Sequence, residues 1–563
     1  MGIEALKAYE KEFDELVGML RLWQLPVRAI LTSLHSVVDG LFNGSRRSQS
    51  VGPRPEAGAA AGARLSYLVP RLLTCESDSI GRDASDALGA VDEVDPDGIE
   101  RIVLITYGHF SELMPEVHRG YYAVEGDVEA GFRLTHASPK VAEHEALDIV
   151  LAELSLSFLV TSPPVLTELF DRQAGAAPRC NLGLQMHVMS LFYKHYREHL
   201  NERPILSEQG YLAAIGASRV EFEKFRAGLF AFADYCKGMA RALTRRIQHE
   251  GLSDSLWAEL LEWVSVNWKE TFFVGTLKAL TGVEFDVLDR LLALFSIDFR
   301  SGHKSGKHAG DGFLPPLTRL EKLYLFNPDL LKQFLPARNI LYTLNRTDKK
   351  RYDEQVSKYL EPELVQAAAD LFAMFSNLKI IANCNWGQGE IDLLVHSASE
   401  NVSLHIQAKA AIPPQGARMV QAVESRMFEG IEQLQRFRDL TAKERDDVLS
   451  GALGQVVNNV ENIDVLLSRS CLGTDRVWSK LDAVVPMNLT VLRSVLKRAR
   501  LEGDTLSLRS FAERSQQETN RLVQLAHPQF VEKELLAGKT TIKLPMLDFD
   551  VDRLRDEQIR IWA

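Results

Sequence analysis

Cysteine is scarce in this chain: five residues in 563, at positions 75, 180, 236, 384 and 471. No two of them make a C-x-x-C pair and none sits with histidines at zinc spacing, so neither a disulfide framework nor a structural zinc is expected. A reducing, cytoplasmic setting is the simple expectation. Long apolar runs are missing too: none reaches the length of a membrane span, and the acidic amino terminus is no signal peptide. No membrane partner is therefore expected. Positive charge is not in excess, with 65 Lys and Arg against 76 Asp and Glu, a net charge of -11. Any affinity for nucleic acid must rest on a local basic patch, because Lys and Arg reaching phosphates carry that affinity.

Two familiar phosphate and metal motifs are also absent. Residues 301–312 read SGHKSGKHAGDG but lack the full G-x-x-x-x-G-K-[ST] pattern, and at Gly538-Lys539-Thr540 the first glycine of such a loop falls on Lys533. His195 and His199 have i, i+4 spacing, yet the stretch His-Tyr-Arg-Glu-His is not H-E-x-x-H and reads as a surface stripe.

What is present is enough chain for several packed domains, with ordinary globular composition. Residues 1–43 carry Ile3, Leu6, Phe13, Leu16, Val17 and Leu20 at helical spacing, with a break expected at Pro26. Residues 44–64 are rich in Gly, Ala and Ser and read as a linker. Residues 65–345 read as a mostly helical domain of unassigned role. Its candidate helices lie at 146–159, 182–200, 220–248, 254–266 and 285–295, and a strand is expected at 102–107 (Ile-Val-Leu-Ile-Thr-Tyr). The amphipathic stripe of residues 1–43 reads first as core packing, with a surface for a partner protein in the helical amino-terminal region as the alternative. Residues 346–495 hold the chemistry-bearing motif, and 496–563 read as a small appendage with a strand near 540–544. The fold class expected is α+β and multidomain.

The motif is the stretch GEIDLLVHSASENVSLHIQAKA from Gly389 to Ala410. Ile391, Leu393 and Val395 alternate with Glu390, Asp392 and Leu394. After the polar turn 397–401, Val402, Leu404, Ile406 and Ala408 alternate with Ser403, His405, Gln407 and Lys409. A period of two on both sides of a turn predicts a β-hairpin. Folding it about Ser399 sets Asp392 opposite Gln407, and Gln407 shares a strand face with Lys409. Asp392, Gln407 and Lys409 are thus expected to converge. A hairpin with one wet face carries such residues without any function. Against that reading, Asp392 sits in an apolar Ile-Asp-Leu-Leu-Val setting, and Lys409 is enclosed by Ala408, Ala410, Ala411 and Ile412, where an unpaired charge is costly.

An Asp on one strand followed by Gln-Ala-Lys on the next resembles the PD-(D/E)XK nuclease superfamily, and the Gly-Glu-Ile-Asp approach with Gln in place of Glu is most similar to Mrr-type restriction endonucleases. The resemblance covers roughly residues 346–495. It implies a restriction-endonuclease-like αβββαβ core: first strand at 378–384, the hairpin, a helix at about 417–437 and a closing strand at 482–486. It implies Mg²⁺- or Mn²⁺-dependent cleavage of DNA, or of RNA, in bacterial restriction or anti-phage defence. It assigns Asp392, the Gln407 amide oxygen and the Ala408 carbonyl as metal ligands, and Lys409 as the residue that orients the attacking water.

Because Gln is neutral, a compensating carboxylate is expected nearby. Glu390 lies two residues before Asp392 on the same strand face. The family also places an acid on the helix before the hairpin, and Asp353 in Tyr-Asp-Glu-Gln-Val fits that start, with Glu354 and Glu363 as alternatives. The basic run 345–351 and Arg418, Arg426 and Gln433 on the following helix are candidates for phosphate contact or support. Two other readings stand beside catalysis: an inactive nuclease-fold module that binds nucleic acid or a partner, and a helical scaffold whose hairpin is only structural.

Overall fold

The computed structural model describes residues 2–44, 62–76, 84–155, 158–159, 163–164, 166–175, 182–202, 205–300, 315–333, 338–411 and 417–562. Most of the expected linker at 44–64, and the loop at 301–312, lie outside the described residues. Helices dominate, with small mixed sheets set among them, so the chain is a mixed helix-and-sheet protein. Among the described residues, no helix is long and apolar enough to cross a membrane.

The amino-terminal stripe forms helices Gly2–Gly18 and Val27–Gly44, separated by a short 3₁₀ turn just before Pro26. Arg219–Glu250 is the long central helix of the helical region. Ser218 and Glu221 close a reciprocal capping box at its start, and Phe222, Phe225, Phe230 and Phe232 are fully buried along it. The apolar run at 102–107, expected as a strand, lies instead within the helix Ile99–His118. A continuous apolar run does not by itself separate a buried strand from a buried helix. Capping decides it here, because the Asp95 carboxylate accepts hydrogen bonds from the Glu100 and Arg101 amides and satisfies two of the orphan N–H groups of the first turn.

The carboxyl-terminal strands Gln529–Ala537 and Thr540–Asp548 do not stand alone. Thr540–Asp548 pairs in parallel with Gly131–His136, itself in a hairpin with Tyr122–Asp127, and the four make one sheet. The turn between the last two strands is held from the amino terminus. Buried Tyr9 donates its hydroxyl to the Ala537 carbonyl at 2.6 Å and accepts from the Lys539 amide at 3.1 Å.

A second four-stranded sheet lies in the helical region, and the five-stranded sheet carries the motif. Its elements in chain order are α1 (Leu360–Phe372), β1 (Leu378–Asn385), β2 (Glu390–Ser397), β3 (Val402–Lys409), α2 (Ala417–Arg438), β4 (Glu461–Ser468) and β5 (Val485–Asn488). A further helix, Ala442–Leu453, lies between α2 and β4. The sheet order is β5-β4-β3-β2-β1. The β1–β2 and β2–β3 pairs are antiparallel, and β3–β4 and β4–β5 are parallel. The closing strand was expected at 482–486; the strand beside β3 is instead β4, and the later segment supplies only the short outer strand β5. Glu461 and Asn462 open β4 with polar residues, whereas its inner half, Asp464 to Ser468, is buried between β3 and β5, as parallel strands covered on both faces are.

Tyr9→Phe removes the one hydroxyl that ties the 537–539 turn to the first helix and is expected to cost about 1–2 kcal/mol of stability. A lowered denaturant midpoint would show it; an unchanged midpoint would mean that the turn is not held by this residue.

Candidate functional site

The hairpin folds about the 398–401 turn, where Asn401 takes a left-handed φ of +53°, a conformation Asn tolerates. Pairing runs from Ser397↔Val402 up to Leu393↔Ile406 and stops there. One step further, Asp392 stands level with Gln407, as alternation about the turn predicts. The neighbouring ladder to β1 also skips this level: Ile391↔Cys384 and Leu393↔Ala382 are paired, and between them Asn383 sits at φ +56°. The sheet therefore opens on both sides of Asp392.

Into that opening Asp392 places its own carboxylate. Oδ2 accepts from the Ala408 amide at 2.7 Å, filling the position a ladder carbonyl would take. In an antiparallel strand the N–H and C=O of one residue face the same neighbour, so the Ala408 carbonyl also faces the Asp392 side. Burial pushes the Asp392 carboxyl up from 3.8 to about 6. The Ala408 amide and the Lys409 ammonium pull it back down, and Glu361 and Glu390 push it further up. A carboxylate whose charge is partly unpaid by protein is ready for a cation.

Gln407 is wholly buried. Its Nε2 donates to the Glu390 carbonyl at 2.5 Å, and its Oε1 has no hydrogen-bond partner. A buried acceptor without a partner calls for a reason. Lys409 is 5% exposed, and its Nζ lies 3.8 Å from Glu361 Oε2, too long for a hydrogen bond but close enough to hold the charge. Arg426 on α2 approaches the other Glu361 oxygen at 4.0 Å. α2 lies directly over Lys409: a Cβ at Gly430 would meet Leu466 Cδ1 at 2.7 Å and Lys409 Cγ at 3.3 Å, so glycine lets the helix approach without displacing these side chains. Gln433, one turn on from Gly430, also has a buried Oε1 without a partner.

The acid brought in by the preceding helix is Glu361, not Asp353. Asp353 sits in a π-helical turn, Tyr352–Val356, is largely exposed, and pairs with Lys349 at 2.6 Å. The helix begins only at Leu360, after a 3₁₀ turn, so the phase that placed Asp353 inward is lost. Glu363 is aligned electrostatically with buried Arg469 rather than with the Asp392 site. Glu390 contributes its carbonyl to Gln407 and its charge to the Asp392 environment. The structure thus groups Asp392, Gln407, Ala408, Lys409 and Glu390, adds Glu361, and leaves Asp353 outside. The one sequence signal for Glu361 was its place in Leu-Glu-Pro-Glu, since Pro fits the first turn of a helix.

Among the described residues, no three His, Cys, Asp or Glu form a preformed metal-binding group. The donors here are of another kind: one carboxylate, one orphaned amide oxygen and one backbone carbonyl. These are hard oxygens, few in number, which suits Mg²⁺, an ion that keeps several of its waters.

The raised Asp392 value has a consequence for stability. The folded chain binds this proton more tightly than the unfolded one, so the benefit is full below about pH 4 and is lost as pH rises to about 6. Above that, the buried charge costs on the order of 1–3 kcal/mol. Asp392→Asn should therefore raise the melting temperature at pH 8 and leave it nearly unchanged at pH 4. Equal melting of both proteins at pH 8 would show that the charge is not buried at a cost.

Comparison with known protein families, with curated proteins and with solved structures found no match to this chain, so the reading of the site stands on its own geometry.

Proposed function

We propose that the chain is a Mg²⁺-dependent nuclease that hydrolyses DNA phosphodiester bonds, in keeping with the resemblance of its motif to the PD-(D/E)XK superfamily. The observation that carries the reading is the buried Gln407 Oε1, left without a partner on the residue that stands level with Asp392 and two positions before Lys409. The order α1-β1-β2-β3-α2-β4, with β3 central and parallel to β4, supports it as an αβββαβ order, although the closing strand is Glu461–Ser468 rather than 482–486 and the helix Ala442–Leu453 precedes it.

The chain's residues divide the work by chemical type. Asp392, Gln407 Oε1 and the Ala408 carbonyl would hold the ion. When bound, Mg²⁺ supplies positive charge at the scissile phosphate and lowers the pKa of its water. Lys409 orients the attacking water and offsets negative charge as it develops on the phosphate. Glu361 keeps the Lys409 ammonium at the site without a close hydrogen bond, which leaves its protons for water or phosphate. Arg426, beside Glu361 on the rim, is placed to meet a phosphate oxygen. A second reading is favoured by the neutrality of Gln407: a module of this fold that binds nucleic acid and no longer cuts it.

Plasmid DNA incubated with the protein and Mg²⁺ or Mn²⁺ separates the two. Asp392→Ala and Lys409→Ala should each lower nicking by about 10²-fold or more, by analogy with loss of one charge-stabilising group. Equal nicking by wild type and both variants removes the first reading, and retention of DNA without cleavage by wild type favours the second. Gln407→Glu adds a negative charge at the ligand position and should lower the metal concentration required; an unchanged requirement would argue against Gln407 as a ligand.

A further inference from the structure

Gln407 has two amide protons and one oxygen to place, and its surroundings decide which way round it sits. The Glu390 carbonyl can only accept, so Nε2 must face it. The second neighbour of that nitrogen is His405 Nε2, at 3.2 Å. A ring nitrogen accepts only when it carries no proton, so the proton of neutral His405 belongs on Nδ1. Nδ1 lies 3.4 Å from Asp464 Oδ1, loose for a hydrogen bond but with the carboxylate on the correct side. Asp464 is itself held in place: Arg438 donates from Nε and Nη2 to Oδ2 at 3.0 and 2.6 Å, and Asn462 donates to Oδ1 at 2.8 Å. The Phe437 ring meets the imidazole edge-on, with centroids 4.7 Å apart. His405 and Gln407 are fully buried and Asp464 is nearly so.

We propose that Asp464 and His405 are positioning residues that lock the Gln407 amide with its oxygen turned toward the Asp392 site and its nitrogen turned away. The proposal rests on the metal-dependent reading above and names what makes a neutral ligand workable there. A carboxylate offers an oxygen in either rotamer. An amide turned over would present N–H groups to a cation, so a glutamine ligand needs a partner that fixes its sense. His405 and the Glu390 carbonyl together use both N–H groups, and Oε1 is what is left over. Groups that orient a metal ligand through its far side commonly set metal affinity without touching the metal.

The test is Mn²⁺ binding to the full chain, followed by the loss of the free-ion EPR signal. His405→Leu, which removes the acceptor, is expected to weaken Mn²⁺ about tenfold. His405→Gln, whose side-chain oxygen stands near where Nε2 was, should restore affinity close to wild type. In a Gln407→Glu background, His405→Leu should change little, because the ligand no longer has a wrong way round. If wild type binds Mn²⁺ and Asp392→Ala abolishes binding, but His405→Leu binds as wild type does, the positioning role is overturned while the metal site stands. An equal loss in both backgrounds also overturns it, as that is general damage to the core. Absence of Mn²⁺ binding by wild type removes the metal-dependent reading and this proposal with it. Should His405→Leu fail to fold, ¹⁵N-histidine spectra of the metal-free wild type decide: His405 protonated on Nδ1 with an accepting Nε2 is expected, and a proton on Nε2 would sink the idea.

Discussion

Where β2 and β3 part, the Ala408 amide has lost its strand partner, and the Asp392 carboxylate takes that place. The rest of the site is arranged about this substitution. A side chain that stands in for a backbone carbonyl is drawn inward and desolvated, which raises its pKa and makes a positive neighbour favourable. Lys409 follows from the same geometry, since it lies one residue beyond Ala408, and burying an ammonium there requires an acid in reach, which Glu361 provides. One missing ladder bond thus gathers two carboxylates and an ammonium into a small space.

The polar interior of this sheet is unevenly satisfied. Asp464 takes hydrogen bonds on both oxygens, and Gln407 uses both of its amide protons. Yet His405 Nδ1, Gln407 Oε1, Gln433 Oε1, Asn462 Oδ1 and Ser468 Oγ are buried without hydrogen-bond partners on β3, α2 and β4. Unmade hydrogen bonds in a folded interior are destabilising.

Much of the sheet was legible because strand patterning is local. The alternation on both sides of a polar turn fixed which residues of β2 and β3 face each other, and with it the approach of Asp392 to Gln407. The limits of the central helix, and the break at Pro26, were legible for the same reason: period, cap and breaker lie within a few residues of one another. What was not legible depended on distant packing or on local turns and caps that the periodicity does not show. The 102–107 run carries β-branched residues, and only the distant packing and the Asp95 cap make it a helix. Glu361 was hidden because an inward phase extrapolated from Asp353 does not survive a π turn followed by a 3₁₀ turn. β4 was passed over because its polar opening masks a buried second half. His405 looked like one more polar residue in an alternating strand, since nothing near it in sequence announces that Asp464 will lie beside it.

The parallel pairing of Ile542 and Lys543 with Phe132 and Arg133 joins segments about four hundred positions apart. During synthesis the Tyr122–His136 hairpin must wait, one edge unpaired, while everything in between is made and the sheet bearing Asp392 assembles. Its completion is then a late, high-contact-order event, and until it occurs the waiting edge is a template for the wrong strand. A ribosome that stalls before residue 540 would release a chain with a finished Asp392 sheet and an adhesive flank, a natural substrate for chaperones.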